Sequence, residues 1–297
     1  MLSTDKMPRW LPIIVLFIAM VSIQGGAALA KTLFPLIGPQ GVTAVRLGLG
    51  TLILCIIFKP WRLRFSREQR LPLFFYGLAL GSMNYLFYLS LKTIPLGIAV
   101  ALEFTGPLAV ALFASRRAVD FIWVILAVVG LWFLLPLGKD IAHVDLAGAA
   151  YALGAGACWA IYIITGQKAG AEHGPATVAA GSFIAAIIFV PLGALEASSS
   201  ILSWAVLPIG LTIAVLSTAL PYSLEMIALT RLPTRTFGTL MSVEPALAAL
   251  SGIIFLGEHL NAIQWIALFF IIVASAGSTL TIKPESKITR IDTNESV

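Results

Sequence analysis

TIPLGIAVALEFTGPLAVALF, residues 93–113, sets a glutamate, Glu103, and a proline, Pro107, inside an otherwise apolar run. RLPTRTFGTLMSVEPALAALS, residues 231–251, lines up with it at a constant offset of 138, which brings Pro95 onto Pro233 and Pro107 onto Pro245. Upstream, LPLFFYG (71–77) and NYLFYLSL (84–91) correspond to LPIGLTI (207–213) and PYSLEMIAL (221–229), with a one-residue slip between the two pairs. The chain reads as two related halves.

The medium follows from composition. Of the 297 residues, 59% are hydrophobic and 11% charged, where an ordinary soluble domain carries about a quarter charged residues. Such a chain cannot cover itself in water and belongs in a bilayer. A hydrocarbon core about 30 Å thick takes about 20 apolar residues per spanning helix. On that scale ten runs stand out, roughly 10–30, 41–59, 71–91, 94–115, 121–138, 146–167, 175–195, 204–229, 233–257 and 262–282. The expected fold is an all-α polytopic membrane protein of ten transmembrane helices. A five-helix repeat crosses the membrane an odd number of times, so residues 10–138 and 146–282 are expected to form two inverted repeats. Inverted repeats mark secondary transporters with a site near the midplane. Residues 283–297 form a polar tail, and its Asn294-Glu-Ser acceptor pattern reads as chance.

Lys6 and Arg9 ahead of a stretch ending in AALAK (27–31) resemble a signal peptide. The run is nearly of spanning length and contains Gln24-Gly25-Gly26, a poor signal core, so it reads as a retained first helix. With the N-terminus inside, fifteen Lys and Arg fall on the cytoplasmic side, among them Lys59, Arg62, Arg64, Arg67, Arg70, Arg116, Arg117 and Lys168. Only Lys31, Lys92 and Lys139 fall on the other, and Arg46 lies within a span. By the positive-inside rule both termini are cytoplasmic.

Five ionisable residues fall within or at the edge of spans: Arg46, Glu103, Glu225, Arg235 and Glu244. A charge at a helix centre costs about 2.5–3.5 kcal/mol on insertion scales, so such residues face protein or a wet cavity. Proline has no N–H to donate. Pro107, Pro245 and Pro221 therefore deprive the carbonyls of Glu103, Met241 and Ser217 of their helical donors, and helix kinks are expected at all three. Irregular backbone at depth is tolerated where it lines a cavity.

One reading is a cavity for a zwitterion: Arg46 clasps a carboxylate with its planar fork, while Glu103 holds an ammonium group or exchanges a proton. Glu103, Glu225 and Glu244 are the proton-coupling candidates. Gln24, Asn84, Tyr85, Tyr88, Trp159, Tyr162, Tyr222 and Ser223 would supply hydrogen bonds and walls, Asn84 and Tyr88 sharing a helix face at i, i+4 and Trp159 and Tyr162 at i, i+3. The other reading makes Arg46 and Glu103 a structural pair, with Glu225 and Glu244 held by Arg231 or Arg235. Gly77-x-x-x-Gly81 is a close-packing motif of low specificity. Trp10, Trp61 and Trp204, near span ends, read as interfacial anchors.

Other chemistry finds no footing. His143, His173 and His259 fall in loops and form no metal-ligand pattern, and no nucleophile elbow or phosphate loop occurs. Cys55 and Cys158 lie in apolar runs as packing residues. No enzyme activity, metal or cofactor is expected. The scattered basic residues form no stripe for nucleic acid, so the expected partners are the lipid bilayer and a small molecule.

SVEPALAALSGIIFLGEHL (242–260), a Glu-Pro helix ending in Gly-Glu-x-Leu, and Arg46 in TAVRLGLGTL (43–52) resemble the EamA-type family of the drug/metabolite transporter superfamily, across residues 10–282. The first half departs, with FASRRAVD (113–120) where a Gly-Glu ending is common. SIQGGAALAKTLFP (22–35), GIAVALEFTGPLAVALFASRR (97–117) and the stretch 217–249 carry the resemblance further. It implies efflux of small hydroxy amino acids, threonine and homoserine, across a bacterial inner membrane; H⁺ as the coupling ion is expected from the deep carboxylates. A broader metabolite or drug exporter and a non-transporting membrane scaffold are the alternatives.

Overall fold

A computed structural model describes residues 10–114, 119–134, 145–170, 175–197, 199–229, 232 and 240–281. Lys6, Arg9, Arg116, Arg117, Lys139, His143, His173, Arg231, Pro233, Arg235 and residues 282–297 lie outside the described residues. Among the described residues the regular structure is helical throughout, with no strand.

The helices are α1 (Leu11–Lys31), α2 (Phe34–Phe58), α3 (Arg67–Ser90), α4 (Leu96–Glu103), α5 (Thr105–Ala114), α6 (Asp120–Leu134), α7 (Leu146–Gly170), α8 (Pro175–Glu196), α9 (Leu207–Ala214), α10 (Leu220–Leu229), α11 (Glu244–Leu256) and α12 (Ala262–Thr281). Among the described residues five stretches are long and apolar enough to cross a membrane: Leu11–Lys31, Phe34–Phe58, Leu146–Gly166, Ala176–Glu196 and Leu207–Glu225. Shorter apolar helices lie at Leu96–Val110, Phe121–Gly130, Glu244–Leu256 and Ala262–Gly277. The outward faces carry Phe17, Ile18, Leu52, Ile56, Ile125, Ile161, Ile187 and Phe269, all exposed. A surface so rich in large apolar side chains suits lipid, not water.

Several helix bounds differ from those read in the sequence, each for a local reason. Helix α2 starts at Phe34, ahead of the expected 41, because Pro35 occupies its first turn and the chain continues through a kink at Gly38 (φ 69, ψ 165). It stops at Lys59, whose φ of 48 turns the chain into the short 3₁₀ helix Pro60–Arg62. Helix α3 starts at Arg67, where the Gln69 side chain accepts the Ser66 N–H at 3.0 Å and closes the first turn. The expected run 94–115 is two helices, parted by a turn at Phe104. The run 204–229 holds a π-turn, Val215–Ala219, between α9 and α10.

All eight residues of α4 are buried, as expected of a helix apolar on every side. It lies against α7 and α11, α11 lies against α1, and α5 continues along α7. Around them α3 packs on α7 and α8, α2 on α8, α1 on α10 and α6 on α12. The main core is rich in alanine, with Ala27, Ala28, Ala30, Ala99, Ala101, Ala149, Ala152, Ala155, Ala248 and Ala249 joining Leu96, Ile98 and Leu102. Between lipid-solvated helices small residues permit close packing, which supplies the attraction. The tightest approach is α5 on α7: a Cβ at Gly106 would fall on the backbone of Gly156, and one at Gly156 on the carbonyl of Glu103. The backbone beside Glu103 is thus held by glycine facing glycine.

Gly106→Ala is expected to destabilise the protein by about 1–3 kcal/mol, the usual cost of overpacking. Thermal unfolding in detergent would report it as a lowered midpoint. Gly25→Ala, where the added methyl meets nothing within 4 Å, leaves the midpoint unchanged or raises it.

Candidate functional site

Arg46 lies in the middle of α2 and is only 5% exposed. Pro221 cannot donate to the carbonyl of Ser217, which lies within the π-turn Val215–Ala219. Arg46 fills the vacancy, with Nη2 donating to the Ser217 oxygen at 2.6 Å. Its Nη1 donates to Oδ1 of Asn84, and Asn84 is steadied by its own Nδ2–H bond to the Leu80 carbonyl at 2.8 Å. The guanidinium stands 5.3 Å from the ring centre of Tyr88, in cation–π range. Its Nε–H is buried and makes no hydrogen bond. Thr43, Arg46, Leu47, Asn84, Thr218 and Tyr222 line a narrow cavity here.

A second polar group lies between α1 and α11. Gln24 Nε2 donates to Glu244 Oε1 at 2.9 Å, with both residues buried. Gln24 Oε1 and Glu244 Oε2 are left buried without a hydrogen bond. Two orphan acceptors are costly in a protein interior, and they suit a cationic or protonated guest.

Glu103 closes α4, with its backbone N–H in the helix and its carboxylate without a hydrogen bond or ion pair to any described residue. Charged groups in electrostatic reach of it are Glu244 and Arg46. The turn at Phe104 follows directly, and Pro107 leaves the Glu103 carbonyl without a helical donor. Phe104 meets Trp159 edge-to-face at 5.3 Å, so Trp159 walls this region together with Met20 and Met241. The break ahead of Pro245 falls at the place matching Phe104: Ser242 and Val243 form a turn, and Glu244 opens α11 with Pro245 in its first turn.

The expected site residues thus fall into three groups. Arg46, Asn84, Tyr88 and Tyr222 come together around Ser217, while Gln24 and Glu244 meet across α1 and α11. Glu103 lies within electrostatic reach of both charges. Tyr162 is elsewhere, stacked on Tyr76 at 4.7 Å and 26°, with the Tyr76 hydroxyl 3.3 Å from its own. Glu225, part-buried and unpaired among the described residues, lies in electrostatic reach of that tyrosine pair and of Glu244. Tyr85 turns away to pack on Phe189 at 5.7 Å, and Ser223 bonds back to the Ala219 carbonyl at 2.6 Å. Arg46 and Glu103 form no ion pair with each other. The residues named as partners for Glu225 and Glu244, Arg231 and Arg235, are outside the described residues. Sequence reading missed Tyr76, Thr43 and Thr218; a Thr three residues ahead of Arg46 and one beside Ser217 were the available signals.

Comparison with known proteins bears on this arrangement. Residues 146–280 match the EamA-like transporter family. The threonine/homoserine exporter RhtA of Escherichia coli (strain K12) is 74% identical over 292 residues, 98% of this chain and 99% of that protein. The chain belongs to the EamA-like transporter family. The Salmonella typhimurium threonine/homoserine exporter RhtA is 75% identical over 290 residues, 98% of each chain. A crystal structure 17% identical in sequence, covering 92% of this chain and 98% of its own, shares the fold at a TM-score of 0.62. Family membership makes this a multi-pass bacterial membrane transporter and not an enzyme.

Asn84→Leu leaves the buried Arg46 Nη1 without its acceptor, and is expected to cost about 1–3 kcal/mol, the penalty for an orphaned buried donor. The loss is read as a lower midpoint of thermal unfolding in detergent. Tyr85→Phe, away from the polar groups, leaves that midpoint unchanged.

Proposed function

We propose that this transporter exports threonine and homoserine across the bacterial inner membrane in exchange for protons. The observation that carries the site assignment is a buried guanidinium and a buried carboxylate, Arg46 and Glu103, in electrostatic reach of each other yet not joined in an ion pair. Opposite charges left apart in a low-dielectric interior are costly unless a guest of matching charge joins them. A zwitterionic amino acid is such a guest. Arg46 takes its carboxylate through Nε–H and an Nη–H released from Asn84. Its ammonium group meets Glu103 and the orphan oxygens of Gln24 and Glu244. Thr43, Thr218 and Tyr222 line the narrow cavity beside Arg46, which widens in this reading to take a short polar side chain. Small hydroxy amino acids also agree with the near-full-length relatives, which are threonine/homoserine exporters.

A proton arriving on Glu103 or Glu244 removes the negative charge that holds the ammonium group, so proton binding and amino-acid release are opposed at one place. Glu225, in electrostatic reach of Glu244 and of the Tyr76–Tyr162 pair, adds a third carboxylate. Such competition for one carboxylate is the simplest basis for antiport.

The chain architecture proposed with it is ten spans in two inverted five-helix repeats, residues 10–138 and 146–282, followed by a cytoplasmic tail, residues 283–297. The repeated prolines at an offset of 138 support it. So does the family match, which takes in one half of the chain, residues 146–280. The excess of Lys and Arg on one side supports cytoplasmic termini. A fluorescent protein fused after Val297 is expected to fluoresce, and alkaline phosphatase there to stay inactive; the reverse result would invert the orientation.

Labelled threonine uptake into inside-out vesicles is expected to rise under an inside-acid ΔpH and to lose that drive in Glu103→Gln. Equal uptake in both proteins would remove Glu103 from the coupling step, and no uptake of threonine or homoserine by the intact protein would overturn the substrate class. Arg46→Lys keeps the charge and loses the fork. Losing one charge-assisted hydrogen bond raises KM about tenfold or more, and an unchanged KM would contradict the assigned carboxylate contact.

A further inference from the structure

The Gly-Glu-x-Leu end of FLGEHL (255–260) has no part in the central site, and its geometry is specific. Helix α11 stops at Leu256, and Gly257 takes a left-handed conformation, φ 64 and ψ 24, which side chains other than glycine's adopt at a cost. The chain then turns back so that the Glu258 N–H donates to the Gly252 carbonyl at 3.1 Å. The Glu258 carboxylate lies over Gly252, where any Cβ would collide with its Oε2.

So placed, Glu258 reaches two other helices. Its Oε2 accepts the N–H of Leu96, the first residue of α4, at 2.9 Å, a backbone donor that has no helical partner of its own. Its Oε1 lies 2.6 Å from Nζ of Lys31, the last residue of α1. Lys31 also donates to the Ile94 carbonyl at 3.3 Å, just ahead of α4. One carboxylate and one ammonium therefore tie together α1, α4 and α11, the helices that carry Gln24, Glu103 and Glu244. Along α1 and α4 the clasp stands seven residues from Gln24 and from Glu103, about 10 Å at 1.5 Å per residue. It is the one ion pair among the described residues.

We propose that the Lys31–Glu258 clasp is the outer gate of the transporter, closed in this structure and broken each time an amino acid leaves. The outward placement rests on the orientation given under the proposed function, which puts the end of α1 and the start of α4 outside. Exposure of the two side chains is 23% and 12%. A pair so near water is neither trapped, as a dry pair would be, nor as weak as one on the open surface. It can open and be rehydrated at each turnover. Its partners come from three helices, so parting it frees α1 and α11 to move away from the start of α4 and admits water toward Glu103 and Glu244.

The test uses the full-length protein with Cys55→Ala and Cys158→Ala, carrying Lys31→Cys and Glu258→Cys. A short reducible bis-methanethiosulfonate linker then bridges the new pair. Linking is expected to abolish ΔpH-driven threonine uptake into inside-out vesicles, and reduction to restore it; uptake that continues with the pair fully linked overturns the gate. A second variant needs neither linking nor substrate. In the same background, Glu258→Gln is expected to speed the reaction of Thr43→Cys with an impermeant thiol reagent applied from the outer face, and an unchanged rate overturns the gate. The orientation has its own readout: Lys31→Cys alone should react with that reagent in spheroplasts. Reaction confined to inside-out vesicles would overturn the outward placement.

Discussion

The hydrogen bond from Arg46 to the Ser217 carbonyl, 2.6 Å long, is the interaction on which the candidate site depends. It exists because a proline four residues on has no N–H, and because a bilayer has no water to stand in for the missing donor. An irregular helix segment at that depth needs a partner, and a buried guanidinium needs acceptors; each satisfies the other. Around this bond α2, α3 and the α9–α10 helix are brought to one place, with Asn84 taking a second donor and Tyr88 lying under the cation. The arrangement leaves Nε–H unused, so the same residue is both a brace and an open hand.

Helix breaks elsewhere follow the same physics with different partners. At Phe104 the break lies where Gly106 and Gly156 bring two backbones together, and it leaves Glu103 at the end of a buried helix. At Ser242 and Val243 it sets Glu244 in the first turn of α11, facing Gln24. Prolines at matched positions thus place carboxylates at helix ends, where local chain geometry and not helical packing determines what the side chain meets. A crystal structure 17% identical in sequence shares the fold. A fold alone does not fix chemistry, which here resides in the side chains at these breaks.

Much of this was legible in the sequence because the relevant signals are local. Apolar run length marks helices, proline marks the carbonyl it deprives, and a charge in an apolar run marks a group needing a partner. Arg46, Asn84 and Tyr88 could be linked since Asn84 and Tyr88 share a helix face. The same logic failed for Tyr85, one residue from Asn84 and so about 100° around the helix, where it meets Phe189 instead. Trp159 and Tyr162 share a face too, yet lie a turn apart and find different neighbours, Phe104 and Tyr76. The start of α2 was misplaced because Pro35, Gly38 and Pro39 read as a break, whereas the structure passes a helix through them with one kink. Lys31 and Glu258 are separated by 227 residues, and no periodicity joins them. Contacts of that span are written in the packing of helices against one another, which a single sequence does not display.

Helix α4 touches lipid nowhere, since all eight of its residues are buried. A bilayer that thickens or thins acts on helices it wets, tilting them or deforming around them. Here that load falls on α1, α2, α7 and α8, whose outward faces carry exposed phenylalanine, isoleucine and leucine. Glu103 is insulated from it by a complete shell of protein. The chemistry at the centre is therefore set by the polypeptide, while the lipid composition of the host membrane governs how easily the surrounding helices shift.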